Sequence, residues 1–150
     1  MRLATADHLT VSTIADAELD AVVELWTRCE LLRPWNDPRS DIAFARNRSN
    51  SEVLVGRQNG AIVAAVMVGH DGHRGCVYYV AVDPSFRSKG FGRAIMSAAE
   101  NWLRERGIAK LNLMVRAENS NVRSFYYALG YAEQERVVCA KWLDGRAPTP

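Results

Sequence analysis

The chain has 150 residues, 48% of them hydrophobic, with 19 basic against 17 acidic side chains and a formal net charge of +2. That length supports one domain with a real core, since about two thirds of the unfolded surface is buried at this size. So small and interspersed a charge excess argues against nucleic-acid or membrane binding; no apolar run approaches the ~18 residues of a membrane span and no signal-peptide layout opens the chain, so a cytoplasmic protein is expected.

In chain order, residues 1–8 show no period and read as a leader. Residues 9–14 alternate apolar and polar with β-branched side chains, as a half-buried strand does. Asp16 is the expected N-cap of a helix in which Leu19, Val22, Val23, Leu25 and Trp26 recur at helical spacing as far as about Cys29. Pro34 and Pro38 prevent regular structure over residues 30–38, and Trp35 is too large to stand idle there, so this stretch reads as a lid or a core plug. Ser40 is expected to cap a second helix running to about Arg48.

Residues 52–57 and 61–68 read as two strands joined at Asn59-Gly60, a strong hairpin signal. A loop over 69–75, dense in ionisable groups (His70, Asp71, His73, Arg74), leads to a strand over 76–82. After a break at Asp83-Pro84, a helix presents Phe91, Ile95, Ala98, Ala99, Trp102 and Leu103 on one face and stops at Gly107. A strand over 111–115 follows, then a helix from Asn119 or Ser120 with Val122, Phe125, Tyr126 and Leu129 on one face, ended by Gly130. A last strand over 131–142 and a frayed tail over 146–150 complete the chain, giving a single domain with its core over about 9–143. The cysteines (Cys29, Cys76, Cys139) are odd in number and widely spaced, so neither a disulfide framework nor a zinc site is indicated, and no metal site is expected.

The stretch with the clearest chemistry is Arg87-Ser88-Lys89-Gly90-Phe91-Gly92-Arg93, which passes from a strand into a helix. The first N–H groups of a helix lack intrahelical partners and its dipole places roughly +0.5 charge there, so anions are attracted. Gly90 and Gly92 allow close approach to a bulky oxyanion, and Arg87, Lys89 and Arg93 add positive charge. A phosphate or pyrophosphate ligand is expected, against the alternative of an ordinary glycine-containing loop on a basic surface. The dinucleotide pattern Gly-x-Gly-x-x-Gly fails, because Ile95 stands where the third glycine belongs.

Val80-Ala81-Val82-x-Pro84-x-x-Arg87-x-x-Gly90-x-Gly92, then Asn119 seven residues ahead of Tyr126, then Phe125-Tyr126-x-x-x-Gly130-Tyr131, resembles the GNAT superfamily of acyl-CoA-dependent N-acyltransferases over about residues 9–143. The resemblance implies an α/β (α+β) GNAT fold, a mixed and mostly antiparallel sheet of about six to seven strands flanked by about four helices. It implies acetyl-CoA as donor, with Val80, Val82, the loop from Arg87 through Ser88, Lys89, Gly90, Phe91, Gly92 and Arg93, and Asn119 on the cofactor. It implies Tyr126 as the group that protonates the leaving thiolate. Periodicity taken alone would place Tyr126 in the apolar stripe of its helix. The partner implied is a small-molecule or protein amine; a homodimer is compatible with such folds.

Transfer to an amine also needs a neutral nucleophile. The glutamates that related histone and ribosomal-protein acetyltransferases carry are missing here, where Cys76 and Met114 stand instead. His73 and Asp71 are the candidate catalytic groups for deprotonation, with water as the alternative route. Arg33, Trp35, Asn36, Asp37 and His70 form the candidate acceptor wall, against the alternative of proline-bracketed loop packing. A covalent route through Cys76 and His73 is disfavoured, since a strand cysteine is more often buried and inert. A non-catalytic acyl-CoA-binding sensor is the alternative to an enzyme.

Overall fold

The computed structural model describes residues 8–148. Its strands are β1 (Thr10–Thr13), β2 (Ser51–Gln58), β3 (Ala61–His70), β4 (Gly75–Val82) and β5 (Leu111–Asn112); its helices are α1 (Leu19–Arg28), α2 (Pro38–Ala45), α3 (Phe91–Arg104) and α4 (Ser120–Ala128). The five strands form one sheet in chain order, antiparallel from β1 to β4 and parallel between β4 and β5. Two compact units result, residues 1–113 with the whole sheet and residues 114–150 with α4.

In the first unit the sheet is covered on both faces. Val53, Val55, Ala65 and Ala81 point to one side, where Val22, Leu25 and Trp26 of α1 and Ile42 and Ala45 of α2 close over them. Side chains one position along a strand fall on the opposite face. Ala64, Val66 and Val68 are buried there beneath α3, whose buried stripe is Phe91, Ile95, Met96, Ala99, Trp102 and Leu103. Gly75 marks that contact, because a Cβ on it would come within 2.5 Å of Leu103 Cδ1.

A bulge in β4 breaks the alternation. Met67 pairs with Tyr78 and Ala65 with Ala81, so Tyr79 and Val80 together oppose the single residue Val66. Tyr79 takes φ +54°, an uncommon conformation for an aromatic residue and one that a bulge can hold. The extra residue turns both Tyr78 and Tyr79 toward the α1–α2 face. Tyr79 stacks on Trp26 with ring centroids 3.8 Å apart and donates its hydroxyl to Asp41 of α2 at 2.7 Å.

Several expectations are corrected. The helix after β1 is not capped by Asp16; it begins as a 3-10 turn over Asp16–Glu18, and the Glu18 carboxylate reaches back to the Ala15 N–H at 2.9 Å while gripping Arg57. Asp37, not Ser40, caps α2, because its carboxylate reaches the N–H groups of Arg39 and Ser40, and α2 ends at Ala45 rather than near Arg48. The strand expected over 111–115 contributes only Leu111–Asn112 to the ladder. Residues 131–142 form no strand; with Val137 and Val138 exposed and no ladder partner beside them, alternation alone does not make a sheet strand. The described residues therefore hold five strands rather than six to seven. The leader falls largely outside the described residues, as does the end of the tail.

Replacing Trp26 by alanine removes a fully buried ring and the support of the β4 bulge, and should destabilise the protein by about 3–5 kcal/mol in urea unfolding. A loss below about 1 kcal/mol would show that the Tyr79 stack is not a principal contact of the core.

Candidate active site

Beyond Val82 the chain is pinned before it turns. The Asp83 N–H donates to Val63 O at 2.8 Å, and its carboxylate accepts from the Ser85 N–H at 2.9 Å and pairs with Arg28 at 2.9 Å. The Cys29 thiol donates to Val82 O at 3.2 Å. Burial pushes that thiol's pKa up against the opposing pull of the Arg87 guanidinium. The end of α1 thus holds the start of the loop, an arrangement with no signature in the sequence because Arg28 and Asp83 are 55 residues apart.

The loop then reaches α3 through two left-handed residues, Ser88 at φ +66° and Gly90 at φ +81°. Gly90 is the N-cap of α3 and supplies no side-chain acceptor. In contrast, α2 and α4 are capped by Asp37 and Asn119. Open space surrounds the position a Gly90 Cβ would take, and Arg87, Ser88 and Lys89 are exposed beside it. Phe91 is turned into the core and anchors the first turn of the helix. A helix N-terminus without a side-chain cap, flanked by basic residues, suits a phosphate.

Upstream, β4 is an incomplete neighbour of β5. The two pair only at Gly75–Leu111 and Cys76–Asn112, so over residues 77–82 the β5-facing edge of β4 has no strand partner among the described residues. Val80 and Val82 lie on this stretch.

Where β4 begins, a cleft of about 440 Å³ opens on the α2 side of the sheet. Phe44 and Ala45 of α2, Met67 to His70 at the end of β3, Asp71, Arg74, Cys76, Tyr78 and Asn112 line it, with Asn50 and Ser51 at its edge. Of the expected acceptor and base residues only His70 and Asp71 are here; His73 is exposed and outside the lining. Asp71 Oδ1 accepts from the N–H groups of His73 and Arg74 at 2.9 and 2.8 Å, which holds its carboxyl below the usual carboxylate range and weakens it as a base. His70 Nδ1 accepts from the Gly72 N–H at 3.0 Å, so its neutral ring carries the proton on Nε2. Burial raises the Cys76 thiol above its ordinary value and keeps it unreactive at neutral pH.

The stretch around Trp35 does not reach this cleft. Arg33 folds onto the carbonyls of Glu30 and Leu32 at 3.1 and 2.9 Å, Asn36 closes a turn onto Arg33 O, and Asp37 is committed to its cap. Trp35 is half-buried among them. Sequence reading passed over Phe44 and Tyr78, whose only hint was that each is a large aromatic in an otherwise mixed stretch.

In the second unit, Asn119 caps α4 through the Val122 N–H at 3.4 Å. Tyr126 is the buried residue of that helix, its ring set edge-on to Phe125 and Tyr131 with centroids 5.0 and 5.7 Å away. Burial pushes its phenol up to about 12. The neighbouring Tyr127 is exposed and tied by its hydroxyl to Glu133, which also pairs with Arg123 at 2.6 Å.

Comparison with known proteins agrees with the resemblance. A model of the acetyltransferase (GNAT) family matches residues 19–131. An acetyltransferase of Yersinia enterocolitica is 42% identical over 135 residues, 90% of this chain and 96% of the relative. One of Pectobacterium atrosepticum is 44% identical over 126 residues, 84% of this chain and 89% of the relative. Among solved structures, the aminoglycoside N-acetyltransferase AAC(6')-Iy in complex with CoA has a TM-score of 0.78 at 18% identity, covering 91% of this chain and 95% of that one, a likeness of fold alone. The ribosomal-protein alanine N-acetyltransferase of Escherichia coli has a TM-score of 0.72 at 26% identity, with 93% and 88% covered. Matched by the family model over most of its length and by relatives at 42–44% identity, the chain belongs to the GNAT acetyltransferase family.

Proposed function

We propose that this acetyltransferase moves the acetyl group of acetyl-CoA to a primary amine by direct attack, with Tyr126 as the general acid. The observation that carries the donor assignment is the N-terminus of α3, which has a glycine where α2 and α4 have a capping side chain and which opens beside Arg87 and Lys89. These residues fit a pyrophosphate: N–H groups aim along the helix axis, Gly90 leaves room, and the basic side chains balance its charge. Bound acetyl-CoA supplies the activated thioester. The chain supplies orientation, through the unpartnered edge of β4 at Val80 and Val82, with the N–H groups there serving as donors to a polarised carbonyl oxygen.

Tyr126 supplies a proton. An acid must hold its proton at the working pH, and burial in its own unit keeps this phenol neutral well beyond the ordinary value of 10.0. Deprotonation of the amine falls to water or to His73, since the turn that lowers the pKa of Asp71 makes it a weak base and His70 commits Nδ1 to the Gly72 N–H. His73, exposed on the same hairpin, is the remaining imidazole for that step.

Tyr126→Phe should lower kcat by about 10²-fold with CoA affinity retained, read by thiol release and calorimetry. Because the phenol is pushed up to about 12, the ratio of wild-type to variant kcat should stay level as the pH rises to its ordinary value of 10.0. A ratio that falls below that pH would show that burial does not hold the phenol above its ordinary value, and a ratio near 1 throughout would remove Tyr126 as the acid. Gly92→Glu sets bulk and negative charge in the first turn of α3 and should weaken CoA binding by about tenfold or more; unchanged affinity would exclude this loop as the pyrophosphate site. CoA binding without turnover across a broad amine panel would favour a non-catalytic acyl-CoA-binding module.

A further inference from the structure

The cleft at the start of β4 has a chemistry that narrows the acceptor. Its walls are mostly apolar, and two of them are exposed aromatic rings, Phe44 at 73% and Tyr78 at 47%, with the Arg48 guanidinium over the Phe44 ring at 4.6 Å from its centroid. Large exposed rings facing one cavity suit an apolar or aromatic ligand body. Tyr78 is there because the β4 bulge follows it, keeping it on the same face as Cys76 while Tyr79 goes to the core.

The charge in the cleft is set by one hairpin. Asp71 and Arg74 close the turn between β3 and β4, with the Asp71 N–H donating to Arg74 O at 3.2 Å. Asp71 directs Oδ1 into that turn and makes no ion pair with Arg74. The Arg74 guanidinium makes a single 3.4 Å contact, from Nη1 to His73 O, and pairs with no carboxylate among the described residues. Arg28, Arg39, Arg46, Arg57, Arg104, Arg106, Arg123 and Arg146 each have a carboxylate partner, whereas Arg48, which has none among the described residues, lies outside the lining and is held over the Phe44 ring and on Phe44 O. A planar fork of donors lining a cleft, with its nearest carboxylate turned elsewhere, suits a carboxylate brought in by the ligand.

We propose that the acceptor is a primary amine carrying a carboxylate on an apolar body, that is, a free apolar α-amino acid, with Arg74 pairing its carboxylate and Phe44 and Tyr78 flanking its side chain. The inference rests on the amine acetylation proposed above. A polycationic amine is disfavoured because Asp71 is the sole acidic residue in the lining and its carboxylate already closes the turn. A phosphorylated amino sugar would satisfy Arg74 but would set hydroxyl groups against two aromatic rings.

The test compares acetyl-CoA-dependent thiol release with L-phenylalanine, phenethylamine, glucosamine 6-phosphate and an aminoglycoside. Phenylalanine should exceed phenethylamine, which has the same body without the carboxylate, by about tenfold or more in kcat/KM. Arg74→Ala should collapse that ratio by raising KM for phenylalanine, and Arg74→Lys should restore part of it. If phenethylamine, the amino sugar or the aminoglycoside equals or exceeds phenylalanine, or if the ratio survives in Arg74→Ala, the acceptor assignment is wrong while acetylation of amines stands. Thiol release with none of the four, nor with any other amine in the panel, would overturn the acetylation reading and this inference with it.

Discussion

The stack of Tyr79 on Trp26 is the contact on which the unit that holds the sheet depends. It holds a non-glycine residue at φ +54° in the middle of a buried strand, a conformation that persists only where surrounding packing over-determines it. Trp26 is fully buried and the Tyr79 hydroxyl is tied to Asp41, so the ring is gripped by α1 and α2 at once. From that point the strand changes its facing. Residues before the bulge set Cys76 and Tyr78 toward the cleft, and residues after it carry the chain to Asp83 and the loop into α3.

The two ends of β4 are thereby given different tasks by the same packing. At its start, β4 is paired to β5 and forms the floor of the cleft; toward its end the β5 side has no strand partner among the described residues. The helix that supports the bulge also restrains the loop, because Arg28 and Cys29 follow Trp26 by less than one turn and reach Asp83 and Val82. A disturbance in α1 would therefore reach the loop into α3 directly, through one ion pair and one thiol hydrogen bond.

Charge in this region is organised by hydrogen bonds more than by ion pairs. Asp37, Asp71 and Asp83 each use a carboxylate oxygen on backbone N–H groups, closing a helix, a hairpin and a 3-10 turn respectively. Asp37 and Asp71 read as candidate site residues in the sequence because they stand in loops next to a proline and a histidine. The structure gives Asp37 and Asp71 local backbone work, Asp83 adds an ion pair with Arg28 to its turn, and Arg74, beside Asp71, pairs with no carboxylate among the described residues.

Much was legible from sequence because it is local. Apolar periodicity located the helical stripe from Phe91 to Leu103, missing only that Met96 rather than Ala98 is the buried member; Asn59-Gly60 adopts positive φ at both positions, as a tight hairpin requires; and the spacing Arg-x-x-Gly-x-Gly announced the start of a helix. Local rules miscarried where a residue had two local uses, as when Asp37 took the cap expected of Ser40, and where a strand needed a partner, as over residues 131–142. The cleft, the bulge that turns Tyr78 toward it, and the tie from Arg28 to Asp83 were decided only by tertiary structure. Each joins side chains far apart in the chain, and no pattern of neighbouring residues records which strand edge or which helix end will meet them.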